Sequence, residues 1–267
     1  MVEWLAGNRI RGTSSEKTQA STVTYESDFS TNTGWTQSDT SQIGVNVSSS
    51  GKLKFYNSGS NSFDNVYYDL GSNVSDTKWV LRHTLTVSGT PSTDEIPYKL
   101  EINNTANAVG NTNSKALGWW IYVARDNAWR RIYTVCKNST SIGDGEGQAT
   151  PRYYSDFSYS TVYYITTTRH SATKFEVIIR TGSHTGSIVS GGTLTQESIP
   201  SGMTGLQYLT ASDGGQGAGL TAEIDDLEFY NGVTSTSSPI NVEDGSIFYE
   251  TDTNKEYVLN DSTWTEL

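Results

Sequence analysis

The chain of 267 residues can bury a full hydrophobic core, and its 34% hydrophobic and 11% aromatic residues supply the material. A formal charge of −11 sets it against a polyanion such as nucleic acid, and the lone Cys136 excludes an internal disulfide or a cysteine-based metal cluster. The opening MVEWLAGNRIRG lacks the basic-then-apolar pattern of a secretion signal, and no apolar run nears the roughly 18 residues of a membrane span. The expectation is a chain made in the cytosol, without membrane insertion, that reaches any outside surface by another route such as assembly into a particle.

Residues 1–21 begin with Val2, Trp4 and Leu5 and then turn polar, so they read as an N-terminal arm that pairs with another surface or stays mobile. From 22 to 231 short alternating segments are separated by Gly, Ser, Asn and Asp turns. KWVLRHTLTV puts Trp79, Leu81, His83, Leu85 and Val87 on one face and Val80, Arg82, Thr84 and Thr86 on the other. LGWWIYVA does the same for Leu117, Trp119, Ile121 and Val123 against Trp120, Tyr122 and Ala124. No segment holds a helical period over three turns, so the chain is predicted to be all-β, an antiparallel β-sandwich of the jelly-roll kind. Residues 232–241 (GVTSTSSPIN) read as a linker, and 242–267 as a small β-hairpin module with Ile247, Tyr249, Tyr257, Leu259 and Trp264 as its apolar side. Strands that short are marginal alone, so the module is expected to pack on a neighbour or a symmetry mate.

YESDFSTNTGW near the start and EIDDLEFYNG near the end resemble the opening and closing segments of concanavalin A-like, carbohydrate-binding jelly rolls. RTGSHTGSIVSGGTL and GLQYL resemble repeated sandwich domains of marine viral and archaeal surface proteins. IFYETDTNKEYVLNDSTWTEL is similar to hairpin modules of phage and archaeal-virus structural proteins, and WLAGNRIRGTSSE to the joining segments of the same chains. The resemblance implies a virion or extracellular surface protein of the spike, fibre or decoration type. Its partners would be copies of itself, with a trimer as the form fibres favour, other virion or surface proteins, and host glycans.

Three groups of residues are candidates for chemistry. Glu223, Asp225 and Glu228 match Glu-x-Asp-x-x-Glu, a pattern that retaining glycosidases use to set two carboxylates about 5 Å apart. On a regular strand Glu228 falls on the opposite face. A bulge after Asp226 gathers Glu223, Asp225, Glu228 and Tyr230 and leaves Ile224, Leu227 and Phe229 for a core. The strand ends the sandwich, whereas the resembling laminarinase- and agarase-like hydrolases carry the motif mid-chain, so no enzyme activity is expected. The resemblance also implies a structural Ca2+ between the first and last strands, with Asp28 and Asp225 or Asp226 as ligands. On the unbulged register that ion would offset a carboxylate beside Leu227 and Phe229. The third group is a sugar-stacking surface of Trp120, Tyr122 and Trp129, with Arg130 and Arg131 beside it to bind hydroxyls or a carboxylated sugar. These aromatics serve equally as packing between sheets.

SIGDGEGQATPR (141–152) reads as a surface loop, and His83, His170 and His184 as ordinary strand and turn residues with neither metal spacing nor triad partners. The functional classes left are a glycan-attaching virion or surface protein, a carbohydrate-binding module of a secreted enzyme, and a glycosidase.

Overall fold

The Val, Ile, Thr and Tyr content of the alternating segments suits a pleated surface, and the segments fold as strands. The computed structural model describes residues 3–5, 9–14, 17, 24–31, 34–37, 45–46, 51–56, 65–91, 94–106, 115–124, 128–138, 153–155, 157–212, 219–233, 245–260 and 263–267. In chain order the strands are β1 (Glu3–Leu5), β2 (Arg9–Gly12), β3 (Tyr25–Ser27), β4 (Trp35–Gln37), β5 (Val45–Asn46), β6 (Leu53–Tyr56) and β7 (Asn65–Asp69). The long central strands follow: β8 (Trp79–Gly89), β9 (Glu95–Asn103), β10 (Lys115–Val123), β11 (Arg130–Asn138), β12 (Tyr153–Ser155), β13 (Val162–Arg169) and β14 (Phe175–Thr181). The last are β15 (Ile188–Gln196), β16 (Tyr208–Ser212), β17 (Leu220–Asn231), β18 (Ile247–Glu250), β19 (Lys255–Asn260) and β20 (Thr263–Glu266).

Two antiparallel sheets make the sandwich. One is seven-stranded, ordered β12-β11-β10-β9-β16-β7-β4; the other is eight-stranded, ordered β15-β14-β13-β8-β17-β6-β5, with β3 on β17. Their inner faces interlock in one core. Leu81, Leu85 and Val87 of β8, Leu117, Trp119, Ile121 and Val123 of β10, and Ile224, Leu227 and Phe229 of β17 belong to it, each nearly or fully buried. His83 shares that inner face and stacks on Trp119 with ring centroids 5.1 Å apart, and neither of its ring nitrogens has a hydrogen-bond partner among the described residues.

The described part of the N-terminal segment pairs within the chain. β2 pairs in parallel with β18, in register from Arg9↔Ile247 to Gly12↔Glu250, and a five-stranded sheet β1-β2-β18-β19-β20 results. The beginning and end of the chain therefore fold as one unit around Ile10, Phe248 and Leu259, with Tyr257 and Trp264 against them. The phase of β18 also differs from the alternation expected for Ile247 and Tyr249. Phe248 and Glu250 are the buried positions. A carboxylate tolerates that place because Lys17 forms an ion pair with it, while Thr253 donates to it at 2.5 Å. The Lys17 amine also sits 3.0 Å from the centre of the Tyr257 ring, and Asp252 accepts from the Ser14 hydroxyl at 2.6 Å.

Candidate functional site

The strand β17 carries a bulge between Asp225 and Glu228, opposite Thr84 and Arg82 of β8. Asp226 is the extra residue, with a left-handed φ of 49°. That single insertion turns Leu227 and Phe229 into the core while Glu223, Asp225 and Glu228 stay half-buried on the outward face. Each glutamate already has resident cations. Glu223 meets Lys54 at 2.8 Å and Lys52 at 3.2 Å, and Glu228 pairs with Arg82 and accepts from the Tyr230 hydroxyl at 2.9 Å. Burial acts to raise the Glu223 pKa, but hydrogen bonds from Lys54 and Lys52 outweigh it and hold the carboxyl below its ordinary range. Such a group is a poor proton donor to a leaving sugar. Burial, together with the charge of Asp226, raises the Asp225 carboxyl, although the Asp226 N–H that it accepts acts the other way.

Beside the bulge lies a cleft of about 840 Å³ whose lining includes Tyr25, Glu26, Asp28, His184, Asp226 and Glu228. The structure thus brings Asp28 and Asp226 to one place, with Asp225 close enough to feel the Asp28 charge. Asp28 accepts the Ser30 N–H at 2.9 Å, and among the described residues no three acidic, His or Cys side chains are grouped to share a metal ion. The bulge keeps Asp225 off the core face, so the core placement that an ion would offset on a straight strand does not arise. What ties the first strand to the last is the ladder Ser27↔Leu227, Glu26↔Glu228 and Tyr25↔Phe229. His184 caps the cleft from the β14–β15 turn. Burial, then repulsion by Arg82, lowers its pKa to about 4.

The outward face of the seven-stranded sheet is different in character. Ile132, Thr134 and Cys136 of β11 point into the core, which leaves Arg131, Tyr133 and Lys137 on the outside. The Arg131 guanidinium lies between two rings, 4.7 Å from the centre of Trp129 and 4.3 Å from that of Tyr153, and it donates to the Tyr133 hydroxyl at 3.0 Å. Trp129 and Tyr153 are 52% and 45% exposed, enough open ring surface to receive a ligand. Further across the sheet Tyr67 and Tyr208 meet edge to face, with Lys99 and Glu101 of β9 between these two aromatic groups.

Of the residues chosen for sugar contact, Trp129 and Arg131 are therefore together. Arg130 takes the opposite side of β11, where its guanidinium sits 5.6 Å from the Tyr159 ring. Register puts Trp120 opposite Tyr133 and Tyr122 opposite Arg131, but their side chains lie outside the described residues. So does the whole of the loop 141–152. Tyr153, Tyr133, Tyr67, Tyr208, Lys99 and Lys137 escape a sequence reading because only strand register assembles them.

No protein-family model matches the chain, and no curated protein matches it in sequence. The fold has clear relatives among solved structures. The VIP36 exoplasmic/lumenal domain in its Ca2+/Man3GlcNAc-bound form superposes with a TM-score of 0.54 at 11% identity, over 82% of this chain and 92% of that one. The CBM2 module of the evolved Dit protein of Lactobacillus casei BL23 phage J-1 gives 0.52 at 13%, over 84% and 98%. A Bauhinia forficata lectin in complex with GalNAc gives 0.51 at 11%, over 79% and 98%. The architecture is the concanavalin A-like, legume-lectin-like jelly roll. A phage carbohydrate esterase shares it, so the fold by itself does not separate binding from catalysis.

Proposed function

We propose that the chain is a non-catalytic glycan-binding protein of a virion or cell surface, with the outward face of the seven-stranded sheet as its binding surface. The observation that carries this reading is the Arg131 guanidinium clamped between two exposed rings, Trp129 and Tyr153. A flat ring offers a sugar an apolar platform, and a fixed guanidinium beside it supplies directed N–H donors to hydroxyls. On the other sheet, the acidic strand holds its glutamates in ion pairs, which suits a closed seam better than acid–base work. The virion or surface setting and self-association rest on the resemblance of the terminal segments. Calcium is not part of the proposal, since among the described residues no three acidic, His or Cys side chains are grouped.

A glycan panel probed with the full chain tests it. Binding is expected for the wild type and loss of roughly tenfold or more for Trp129→Ala and Tyr153→Ala, each removing one stacking platform, with unchanged far-UV circular dichroism. Binding that survives both substitutions moves the site elsewhere, and a panel without any binding ends the reading.

A further inference from the structure

The charge pattern of the same face narrows the ligand, and the inference rests on the sugar-binding reading above. The chain as a whole carries −11. Among the described residues, however, the outward side chains of β9 and β11 include three cations, Lys99, Arg131 and Lys137, and one carboxylate, Glu101. Neither Lys99 nor Lys137 forms an ion pair among the described residues. Burial lowers the Lys137 pKa; Glu101 opposes that shift and Lys99 adds to it, so the two amines are near enough to repel. Glu101 can neutralise only one of them.

Beside Glu101 and Lys137, β10 carries only small residues, whereas Trp120, opposite Lys99, has a side chain outside the described residues. Ala116 stands opposite Lys137 and Asn103, and Gly118 opposite Glu101. A Cβ at Gly118 would lie 2.1 Å from the Leu100 carbonyl oxygen and 2.8 Å from the Glu101 Cα, so the strand approach itself requires glycine there. Ala116, Gly118 and Asn103 are buried and Glu101 nearly so, which leaves the half-buried amines of Lys99 and Lys137 as the charged groups this stretch presents. From Lys137 to Arg131 the line runs six residues along β11, about 20 Å at strand rise. That length suits an oligosaccharide rather than one sugar. The like charges of Lys99 and Lys137 repel, and an anion between them would relieve that repulsion.

We propose that this face takes an acidic glycan, a polymer of sugars bearing carboxylate or sulfate groups. Lys99 and Lys137 meet one anionic group, and the clamped Arg131 meets the next one along the chain. Arginine in a fixed plane gives the two-pronged contact that carboxylate and sulfate oxygens accept.

The test is titration of the full chain with polygalacturonate, dextran sulfate and uncharged dextran at low and high salt. The wild type is expected to bind a charged polymer at least tenfold more tightly than dextran, and less tightly as salt rises. Lys99→Gln with Lys137→Gln, and separately Arg131→Gln, are expected to weaken that binding by about tenfold or more. Lys174→Gln, which alters the pair with Glu197 on the other sheet, is expected to change nothing. Comparing polygalacturonate with dextran sulfate identifies the anion. Equal or tighter binding of uncharged dextran overturns the inference, and so does full affinity in the double lysine variant. Binding of neutral glycans that Trp129→Ala abolishes would leave the sugar-binding reading intact while removing the acidic ligand. Absence of binding to every glycan would end both.

Discussion

Truncating Leu227 to alanine tests the bulge, on which the whole placement of β17 depends. Leu227 is fully buried among core side chains, next in sequence to the left-handed Asp226. Leu→Ala removes three carbons, about 2.4 kcal/mol of lost burial at about 0.8 kcal/mol each, and a residual cavity brings the total to about 3–4 kcal/mol. In a straight strand Leu227 would face outward opposite the core position of Ile224, and truncation would cost under about 0.5 kcal/mol. The assay is urea unfolding followed by tryptophan fluorescence, since Trp79 packs 6.2 Å from Phe229 in the same core. With an m-value of about 2–3 kcal/mol/M, the midpoint falls by about 1–2 M. Asp226→Gly is the companion, because glycine adopts the positive φ without a Cβ penalty; it is expected to be neutral or stabilising by up to about 1 kcal/mol. A Leu227→Ala cost below about 0.5 kcal/mol, or an Asp226→Gly cost equal to it, refutes the bulged register.

Acid is expected to weaken the fold between about pH 6.5 and 4. Burial depresses the folded-state pKa of His83 and, to about 4, that of His184, so the unfolded chain binds protons first and stability present above pH 6.5 is lost as pH falls. Melting temperatures across that range check it, and a flat profile excludes both histidines as sources. Burial pushes the Cys136 thiol up to about 12, so the native protein is expected to resist a thiol reagent that labels the unfolded chain at once. The wild type, Glu223→Gln and Glu228→Gln are all expected to release no reducing ends from β-glucan or agar. Turnover in the wild type that both substitutions abolish would reinstate the glycosidase.

The long strands were legible in the sequence because their faces alternate cleanly. Trp79, Leu81, His83, Leu85 and Val87 all lie inward on β8, and Leu117, Trp119, Ile121 and Val123 on β10. The bulge was legible for a related reason, since only an inserted residue lets Ile224, Leu227 and Phe229 share one face. The pairing of β2 with β18 was not, because alternation says nothing about a partner more than two hundred residues away. β18 itself misleads by one position. Its buried Glu250 looks like a surface residue until Lys17 is beside it. At the candidate site Trp129 and Arg131 stood close enough in sequence to be chosen together, whereas Tyr153 and Lys99 arrive through neighbouring strands. Arg130 shows the limit of adjacency, for strand geometry sends consecutive side chains to opposite faces.

The joining of the two chain ends in one small sheet has a mechanical consequence. Everything between β2 and β18, including both large sheets, lies inside a loop that the parallel β2–β18 ladder closes. Tension applied at the two ends of the chain is borne first by the small sheet and by the Lys17–Glu250 and Ser14–Asp252 contacts across it. The sandwich stays slack until that clasp parts. The outward face of the seven-stranded sheet keeps its shape while that clasp holds.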